Sequence, residues 1–270
     1  MKLINAGPSE RGWHRIESAL RCPRLYAWEQ SGQLERELSE PLVRGSLIHI
    51  GLAHHYQRLK ETQSGGNPDE WYSCEEAIQI LAQQEAINSP LWEKLVPLAM
   101  DVCSAYKNNW LHESWKILEV EYELRAQIGK EKHLYTQRAD LIVEDQDGKI
   151  WIVDHKTAYR IVSKTLRQYT LDGQFIGYQM FGSAKYGSRF AGVTLNRIKA
   201  SPKYDFDRRS IEPAPAALKD FVATLLEAER RVKKWEGKEP REWPMTLSNQ
   251  VCYGKYGQCN AYNLCRFGGE

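Results

Sequence analysis

The sequence predicts an α/β fold in which helical segments surround a central sheet. Apolar residues recur at helical spacing through the first 115 residues, whereas residues 117–157 have the alternation and the β-branched content of three strands. A helix, a strand and a further helix are expected after them, so the predicted order is helices, then βββ, then αβα. With 270 residues, 42% of them hydrophobic, the chain is long enough to bury a large core.

Five helical segments are predicted before the strands. Ser9 is placed to cap the first segment, and Pro23 should end or bend it. Ser73 and Glu76 form a capping box at the start of the fourth segment. The second to fifth segments are predicted at residues 25–29, 42–59, 73–88 and 91–112.

The first strand is predicted at residues 117–128, which alternate strictly between apolar and polar side chains. Its apolar face begins with Leu118, and its polar face carries Glu119, Glu121 and Glu123. Because strand side chains alternate, this segment should be half buried. Glu121 could support a metal ligand or a water, although three glutamates on one face suit a solvated edge equally well.

Two further strands, at residues 135–144 and 149–157, form a predicted hairpin. If residues 146–148 are a three-residue loop with Gly148 in the left-handed conformation, Asp145 faces Lys149. This register can be continued along both strands to find which side chains face each other.

The register places Asp140 directly opposite Asp154, with their Cβ atoms ~5 Å apart. Two carboxylates in this arrangement repel each other unless one is protonated or a cation lies between them. Alternation places Lys156 on the face of Asp154 and points the side chain of His155 to the other face. Oxygen ligands at this separation suit Mg²⁺ or Mn²⁺, and a lysine beside them can orient and activate a water.

A solvated surface ion pair is the alternative interpretation of Asp154 and Lys156. Both strands of the hairpin are apolar on both faces, which is typical of central strands covered by helices. Charges on such strands are difficult to explain by solvation, so the functional interpretation is favoured.

Four short motifs occur in order along this framework. They are Gly45–His49 (GSLIH), Gln137–Asp140 (QRAD), Val153–Thr157 (VDHKT) and Gln174–Tyr178 (QFIGY). In their order, and in their placement on two helices and two strands, they resemble the PD-(D/E)XK nuclease superfamily, specifically its RecB-like branch with its CRISPR-adaptation and phage exonucleases. Gln137 departs from the pattern because the family often has glycine there.

The resemblance implies a restriction-endonuclease-like core, which is a central mixed sheet with the order αβββαβ. It also implies Mg²⁺ or Mn²⁺ as a cofactor, held by His49, Asp140, Asp154 and the backbone carbonyl of His155. The matched core covers about residues 13–200, with a further match at the tail.

The same resemblance implies catalytic or supporting roles for further residues of the site. Lys156 would position the attacking hydroxide beside Asp140 and Asp154. Gln174 and Tyr178 lie one helical turn apart and would support the site and contact nucleic acid.

The cysteines fall into two groups. Cys74 and Cys103 lie in predicted helices and are most simply explained as buried apolar residues. Cys252, Cys259 and Cys265 lie within fourteen residues of a tail that is rich in Gly, Tyr and Asn. Three thiolates alone do not complete a four-cysteine site for zinc or for an iron–sulfur cluster.

The RecB-like resemblance implies the fourth thiolate. The segment 22–26 (CPRLY) resembles the CPR-x-Y element that supplies it in the iron–sulfur nucleases of that branch. Cys22, Cys252, Cys259 and Cys265 would then hold a [4Fe-4S] cluster that joins the tail to the first helix. The six residues between Cys252 and Cys259 exceed the spacing common in the family, which leaves zinc or free thiols as alternatives.

The implied function is a metal-dependent DNA nuclease, more readily an exonuclease on duplex ends or single strands than an endonuclease. Recombination, repair, replication and CRISPR or phage DNA processing are possible settings. Phosphate contacts are expected from Arg21, Arg24, Arg44, Arg138 and the basic residues of segment 208–241.

Two alternatives come from another functional class. One is a noncatalytic nucleic-acid-binding or assembly protein that retains the fold, and the other is a zinc-stabilised binding module. The set of Asp, Asp, Lys and His argues against a binding-only protein, because an acidic pocket repels phosphate.

The composition indicates where the protein works and with which partners. The formal net charge of +2 does not by itself indicate a polyanion-binding protein. No apolar run is long enough to cross a bilayer and no signal peptide is evident, so a cytoplasmic protein without a membrane partner is expected. No P-loop occurs, so ATP-driven movement would come from a helicase, recombinase or annealing-protein partner or be absent.

A single nuclease domain is expected over residues 1–270. After the hairpin, a helix, a strand and a long amphipathic helix are predicted at about residues 172–186, 190–199 and 214–235. The expected regions are a helical N-terminal region (1–115), the nuclease core (116–200), a C-terminal helix (201–245) and the cysteine-rich tail (246–270).

Overall fold

The computed structural model describes residues 1–34, 39–85, 90–162, 166–211, 214–254 and 257–268. The helices of this part of the chain are α1 (Trp13–Arg21), α2 (Pro23–Ser31), α3 (Glu40–Ser64), α4 (Cys74–Glu85), α5 (Pro90–Asn109), α6 (Leu166–Thr170), α7 (Gly173–Tyr186), α8 (Pro215–Trp235), α9 (Asn249–Cys252) and α10 (Tyr262–Phe267). The strands are β1 (Lys116–Ile128), β2 (His133–Glu144), β3 (Ile150–Ala158), β4 (Phe190–Lys199), β5 (Asp205–Ile211), β6 (Tyr253–Gly254) and β7 (Gly257–Gln258).

These residues form two compact units. The first unit takes its described residues from 1–9, 38–124 and 137–218, and it contains α3 to α7 and most of the large sheet. The second unit takes its described residues from 10–37, 125–136 and 219–270, and it contains α1, α2, most of α8 and the C-terminal tail.

The large sheet is mixed, and its strand order is β1-β2-β3-β4-β5. Strand β3 pairs antiparallel with β2 and parallel with β4, and β4 pairs antiparallel with β5. Parallel neighbours need a crossover connection, and α7 lies in the segment that joins β3 to β4. This arrangement confirms the predicted restriction-endonuclease-like α/β core with the order αβββαβ.

The core of the first unit lies between the N-terminal helices and the sheet. Leu47 of α3 and Val102 of α5 are fully buried in one apolar cluster with Leu141 of β2 and Val153 of β3. Because β3 lies inside the sheet and is covered by side chains, the polar residues near its end are held in a fixed setting. None of the helices in the described ranges is both long enough and apolar enough to span a bilayer.

Several local sequence rules determine the element ends. The predicted capping box is confirmed, because Ser73 N donates to Glu76 Oε2 (2.8 Å) and Glu76 N donates to Ser73 Oγ (3.2 Å). Pro23 separates α1 from α2, as predicted. The predicted cap at Ser9 is wrong, because α1 begins after Gly12, which provides no side-chain hydrogen bond. The predicted end of α4 near residue 88 lies outside the described residues.

A buried ion pair holds helices α1 and α8 together in the second unit. Arg15 donates to both carboxylate oxygens of Glu229, at 2.6 and 2.8 Å, and both side chains are over nine-tenths buried. Burial opposes the ionisation of Glu229, but the hydrogen bonds and charge of Arg15 outweigh it and hold the pKa of Glu229 below its usual value.

We expect Glu229→Gln to lower the free energy of unfolding at pH 7 by about 3 kcal/mol, because it leaves Arg15 buried without a counter-charge. A carboxylate with a lowered pKa stabilises the fold above its unfolded pKa and loses this effect as the pH falls through its folded pKa. Urea unfolding of the variant should therefore approach that of the unmodified protein below about pH 4. Glu227→Gln, which removes an exposed pair with Arg231 on the same helix, is the control and should have no measurable effect.

Candidate active site

The β2–β3 hairpin has the register that its turn predicts. Gly148 has φ 73°, and Asp145 N donates to Lys149 O across the turn (2.9 Å). The paired residues run from Glu144 opposite Ile150 to Leu141 opposite Val153. Asp140 and Asp154 are the next residues on their strands after this last pair, and the pKa of Asp154 is raised by burial and by the nearby charge of Asp140.

Asp140 lies between β3 and α3. Its Oδ2 accepts a hydrogen bond from the backbone N–H of His155 (2.5 Å), and its Oδ1 lies 3.5 Å from Nδ1 of His49. Helix α3 packs on β3 here, where a Cβ atom at Gly45 would lie in van der Waals contact, 3.4 Å from Oγ1 of Thr157. The first motif therefore brings His49 to the carboxylate of the second.

Asp154 is almost fully buried and is held by α7. Its Oδ1 accepts a hydrogen bond from Gln174 Nε2 (2.9 Å) and lies 3.1 Å from the hydroxyl of Tyr178. Its Oδ2 lies 2.8 Å from Nζ of Lys156 but has no aligned hydrogen bond within the described chain. One carboxylate oxygen is thus held by α7, while the other forms an ion pair with Lys156.

Gln174 connects the remaining groups of the site. Its Oε1 accepts from Nζ of Lys156 (2.9 Å), and its Nε2 donates to the hydroxyl of Tyr178 (3.0 Å) as well as to Asp154. Helix α7 is fixed at this point because Asp172 caps its first turn and Gln137 donates to the backbone carbonyl of Gln174. Gln137, which occupies the position where the family often has glycine, therefore holds α7 at Gln174.

Glu121 is the residue that sequence reasoning undervalued. It is half buried, and its carboxylate lies with His49 and Asp140 so that one ligand atom of each falls within 4.8 Å of the others. Its φ of 48° is rare for a residue with a side chain, and strained backbone of this kind clusters at functional sites. The alternating pattern placed Glu121 on the polar face, but nothing in the sequence indicated the unusual φ.

Burial and mutual repulsion of the carboxylates shift the pKa values of the site. Burial and the charge of Asp140 raise the pKa of Glu121 to about 8. Burial alone would lower the pKa of His49, but Asp140 raises it to about 9. Burial also raises the pKa of Asp154, an effect that Lys156 opposes and Asp140 reinforces. Protons on His49 and Glu121 therefore carry charge at neutral pH that a divalent cation could carry instead.

This donor set fits a divalent metal. It combines the imidazole of His49 with carboxylate oxygens of Glu121 and Asp140, which suits Mg²⁺ or Mn²⁺. The carboxylate of Asp154 lies outside this group, and its pKa is raised by burial and by the nearby charge of Asp140. Nζ of Lys156 lies 2.9 Å from Oε1 of Gln174 and 2.8 Å from Oδ2 of Asp154.

His155 points to the other face of β3, as predicted. Its ring stacks on Tyr56, with centroids 5.9 Å apart, and its Nδ1 lies 2.8 Å from Nδ2 of Asn196. Burial lowers the pKa of His155 to about 3, so the ring is neutral. The side chain anchors the strand, while its backbone N–H orients Asp140.

A buried polar network continues behind His155. Asn196 donates to the hydroxyl of Tyr106 (2.6 Å), which in turn lies 3.1 Å from a guanidinium nitrogen of Arg208. Arg208 pairs with both carboxylate oxygens of Glu113, and its guanidinium lies 3.6 Å from the ring centroid of Trp110. These contacts connect His155 of β3 to α5 and β5.

The arginines predicted as phosphate contacts are engaged within the protein. Arg138 donates to the carbonyls of residues 5 and 7, and the side chain of Arg44 is buried beside Glu40. In the second unit, Arg21 and Arg24 donate to the carbonyls of Val251 and Trp243. Arg44 and Arg138 are therefore poorly placed to contact phosphate.

The four cysteines of the predicted cluster belong to the second unit. Cys22, Cys252, Cys259 and Cys265 all line one cavity of about 300 Å³. Burial raises the pKa of the Cys259 and Cys265 thiols. Among the described residues, no three of these sulfurs lie within 4.8 Å of one another, so the structure does not bring the cysteines together as a compact metal-ligand group.

Comparison with known proteins places this geometry in context. The model of the PD-(D/E)XK nuclease superfamily matches residues 13–266. A crystal structure of a candidate exonuclease from Eubacterium rectale has a TM-score of 0.56 at 11% sequence identity, and the alignment covers 96% of this chain and 88% of that one. The structure of SSO0001 aligns over 94% of this chain and 95% of its own at 16% identity, with a TM-score of 0.36. No curated protein sequence matches the chain significantly.

Proposed function

Since the chain belongs to the PD-(D/E)XK nuclease superfamily, we propose that it is a Mg²⁺- or Mn²⁺-dependent deoxyribonuclease, and specifically an exonuclease. The observation that carries this proposal is the group of His49, Glu121 and Asp140, whose ligand atoms lie within 4.8 Å of one another, together with the ion pair of the buried Asp154 with Lys156. The description of the Eubacterium rectale protein as a candidate exonuclease supports exonucleolytic over endonucleolytic action.

Within this proposal, the metal ligands are His49, Asp140, Asp154 and the backbone carbonyl of His155, with Glu121 as a further ligand. When bound, the divalent cation would neutralise the scissile phosphate and lower the pKa of a water. Lys156 orients the attacking water. Gln174 holds the Lys156 ammonium and Asp154 in place through 2.9 Å hydrogen bonds to both, and Tyr178 fixes Gln174.

The test compares linear and circular DNA as substrates. End-labelled single-stranded and duplex DNA should be shortened from their ends when Mn²⁺ or Mg²⁺ is added, and EDTA should stop the reaction. Covalently closed circles of the same sequence should stay intact. Cleaved circles would overturn the exonuclease assignment, and binding of DNA without cleavage at any metal concentration would favour the noncatalytic alternative.

We also propose that Cys22, Cys252, Cys259 and Cys265 hold a [4Fe-4S] cluster with a structural role. The observation that supports a shared site is that all four cysteines line one cavity of the second unit. The sulfur of Cys22 also accepts a hydrogen bond from the backbone N–H of Thr246 (3.5 Å), a contact that tunes such clusters.

Serine at any of these four positions should remove the cluster, because a hydroxyl is a poor ligand for iron. Each variant should lose visible absorption near 400 nm and become more sensitive to proteolysis within residues 240–270. Protein purified without oxygen should contain about four irons per chain. Cys74→Ser and Cys103→Ser, at buried cysteines of the first unit, are the controls and should keep the colour. One zinc per chain, or a folded protein without metal, would contradict the proposal.

The remaining expectations concern the cellular role. We propose that residues 1–270 act as one nuclease domain, since the family match spans residues of both compact units. We further propose that the protein works in the cytoplasm on DNA ends or single strands, alongside a helicase, recombinase or annealing protein. Co-purification from cells with and without damaged DNA would test this association.

A further inference from the structure

A polar cavity lies beyond the catalytic residues, at the carboxyl ends of β3 and β4. These strands are parallel, and their register pairs Lys156 with Arg197 and Ala158 with Lys199. The two segments stay paired past the ends of the strands. Ala200 N donates to Ala158 O (2.9 Å), and Ser201 Oγ donates to the backbone carbonyl of Tyr159 (2.9 Å). Open α/β sheets bind ligands at this edge.

The cavity, here called the β3–β4 edge pocket, has a volume of about 510 Å³, which lies in the range of small-molecule sites. Tyr159, the first residue after β3, lies ~10 Å along the chain from Lys156. The pocket therefore begins three residues along the chain from Lys156, within the same compact unit. Its lining comprises Tyr159, Arg160, Ile161, Val162, Lys199, Ser201, Pro202 and Asp205.

Two side chains of this pocket, those of Tyr159 and Arg160, make no hydrogen bond or ion pair within the described chain. Tyr159 is 61% exposed, whereas the other described Trp, Tyr and Phe side chains of this unit are buried or partly buried. Arg160 is exposed and makes no ion pair or hydrogen bond within the described chain. Lys199 donates to two backbone carbonyls, at 3.3 and 2.8 Å, and keeps a third donor. The pocket is lined by two cationic residues, Arg160 and Lys199, and by one carboxylate, Asp205, so its charge favours an anion.

An exposed aromatic face beside an unpaired arginine suits a nucleotide, whose base stacks on aromatic rings while its phosphate binds cations. We propose that the β3–β4 edge pocket is a subsite for one nucleotide of single-stranded DNA close to the scissile phosphate. Tyr159 stacks on the base, and Arg160 and Lys199 bind the adjoining phosphate. This inference rests on the proposed nuclease function, and it specifies that the site receives single-stranded DNA.

Binding is measured first, because it does not depend on cleavage. In an Asp154→Asn background with Ca²⁺ present, fluorescence anisotropy reports the dissociation constant of a fluorescein-labelled single-stranded oligothymidylate. Tyr159→Ala should raise this constant about tenfold, whereas Tyr159→Trp should leave it close to the starting value because the larger ring still stacks. Arg160→Ala should weaken binding and reduce its dependence on salt.

Arg189→Ala is the matched control, because it removes another exposed arginine at the opposite end of β4. A dissociation constant for Tyr159→Ala within twofold of the starting value would overturn the subsite. Equal weakening by Arg189→Ala would do the same, since it would indicate only a general charge effect. A relaxed, covalently closed duplex circle should bind without dependence on Tyr159, because its bases are paired and stacked within the duplex.

Hydrolysis separates this proposal from the nuclease function itself. With Mn²⁺ and Asp154 in place, Tyr159→Ala should raise the KM for the oligonucleotide about tenfold and leave hydrolysis of bis(p-nitrophenyl) phosphate unchanged, because that small diester does not reach the pocket. Equal loss on both substrates would overturn the subsite by showing damage to the catalytic groups. If the unmodified protein hydrolyses neither substrate, the nuclease proposal fails and the anisotropy result still decides the subsite.

Discussion

Replacing Asp154 by asparagine should lower the rate of metal-dependent DNA hydrolysis by about 100-fold or more, because it removes a charged ligand from a nearly dry site. The isosteric amide can keep the contacts to Gln174 and Tyr178, so the fold should survive. The melting temperature should not fall, since the substitution also relieves the repulsion from Asp140.

The matched control for this prediction is Asp147→Asn in the turn of the same hairpin. Asp147 is exposed and lies outside the site, so its loss should leave the rate unchanged. Single-turnover cleavage of an end-labelled oligonucleotide measures both variants, and circular dichroism verifies their folding. An Asp154→Asn protein that retains more than a tenth of the activity would be inconsistent with a metal ligand at this position.

The hairpin at the centre of the site could be predicted because its determinants are local. A left-handed glycine at position 148 sets the loop length, and the loop length sets the register along both strands. The positions of Asp140 and Asp154 follow from that register, and the face of His155 follows from alternation. The turn that contains Gly148 was therefore enough to predict where Asp140, Asp154 and His155 lie on their strands.

Strand β5 was not predicted, and its sequence explains why. Four of its seven residues are charged, and only Ile211 is buried. Charged side chains are common on edge strands because they discourage pairing with other chains, so such a strand lacks the apolar alternation of a half-buried strand. Its place at the end of the sheet depends on pairing with β4, which no local pattern records.

The contributions of Glu121 and Arg208 also depend on distant parts of the chain. Glu121 meets His49 and Asp140 only because three separate elements converge, and its positive φ is imposed by that setting. Arg208 lies on β5 but pairs with Glu113, which precedes β1. Sequence patterns specify faces and registers within an element, whereas these pairs are determined by how the elements pack.

Lys156→Met should be nearly as inactive as Asp154→Asn but should still bind metal. The ammonium group lies 2.9 Å from Gln174 Oε1 and 2.8 Å from Asp154 Oδ2, so it can orient a water and balance charge without acting as a ligand. The methionine keeps the aliphatic stem of the lysine and avoids a cavity. The positive charge of Lys156 opposes protonation of Asp154. Because Lys156→Met removes this charge, metal affinity should be compared at pH 8, where the Asp154 carboxylate is more fully ionised.

Calorimetric titration with Mn²⁺ at pH 8 separates the two roles. Lys156→Met should bind Mn²⁺ within about tenfold of the unmodified protein, whereas Asp154→Asn should lose more affinity than that. Lys149→Met, at an exposed lysine immediately before β3, is the control and should change neither affinity nor rate. Equal losses of Mn²⁺ affinity in the Lys156 and Asp154 variants would show that the two side chains do not have separate roles, because a residue that only orients water leaves the ligand set intact.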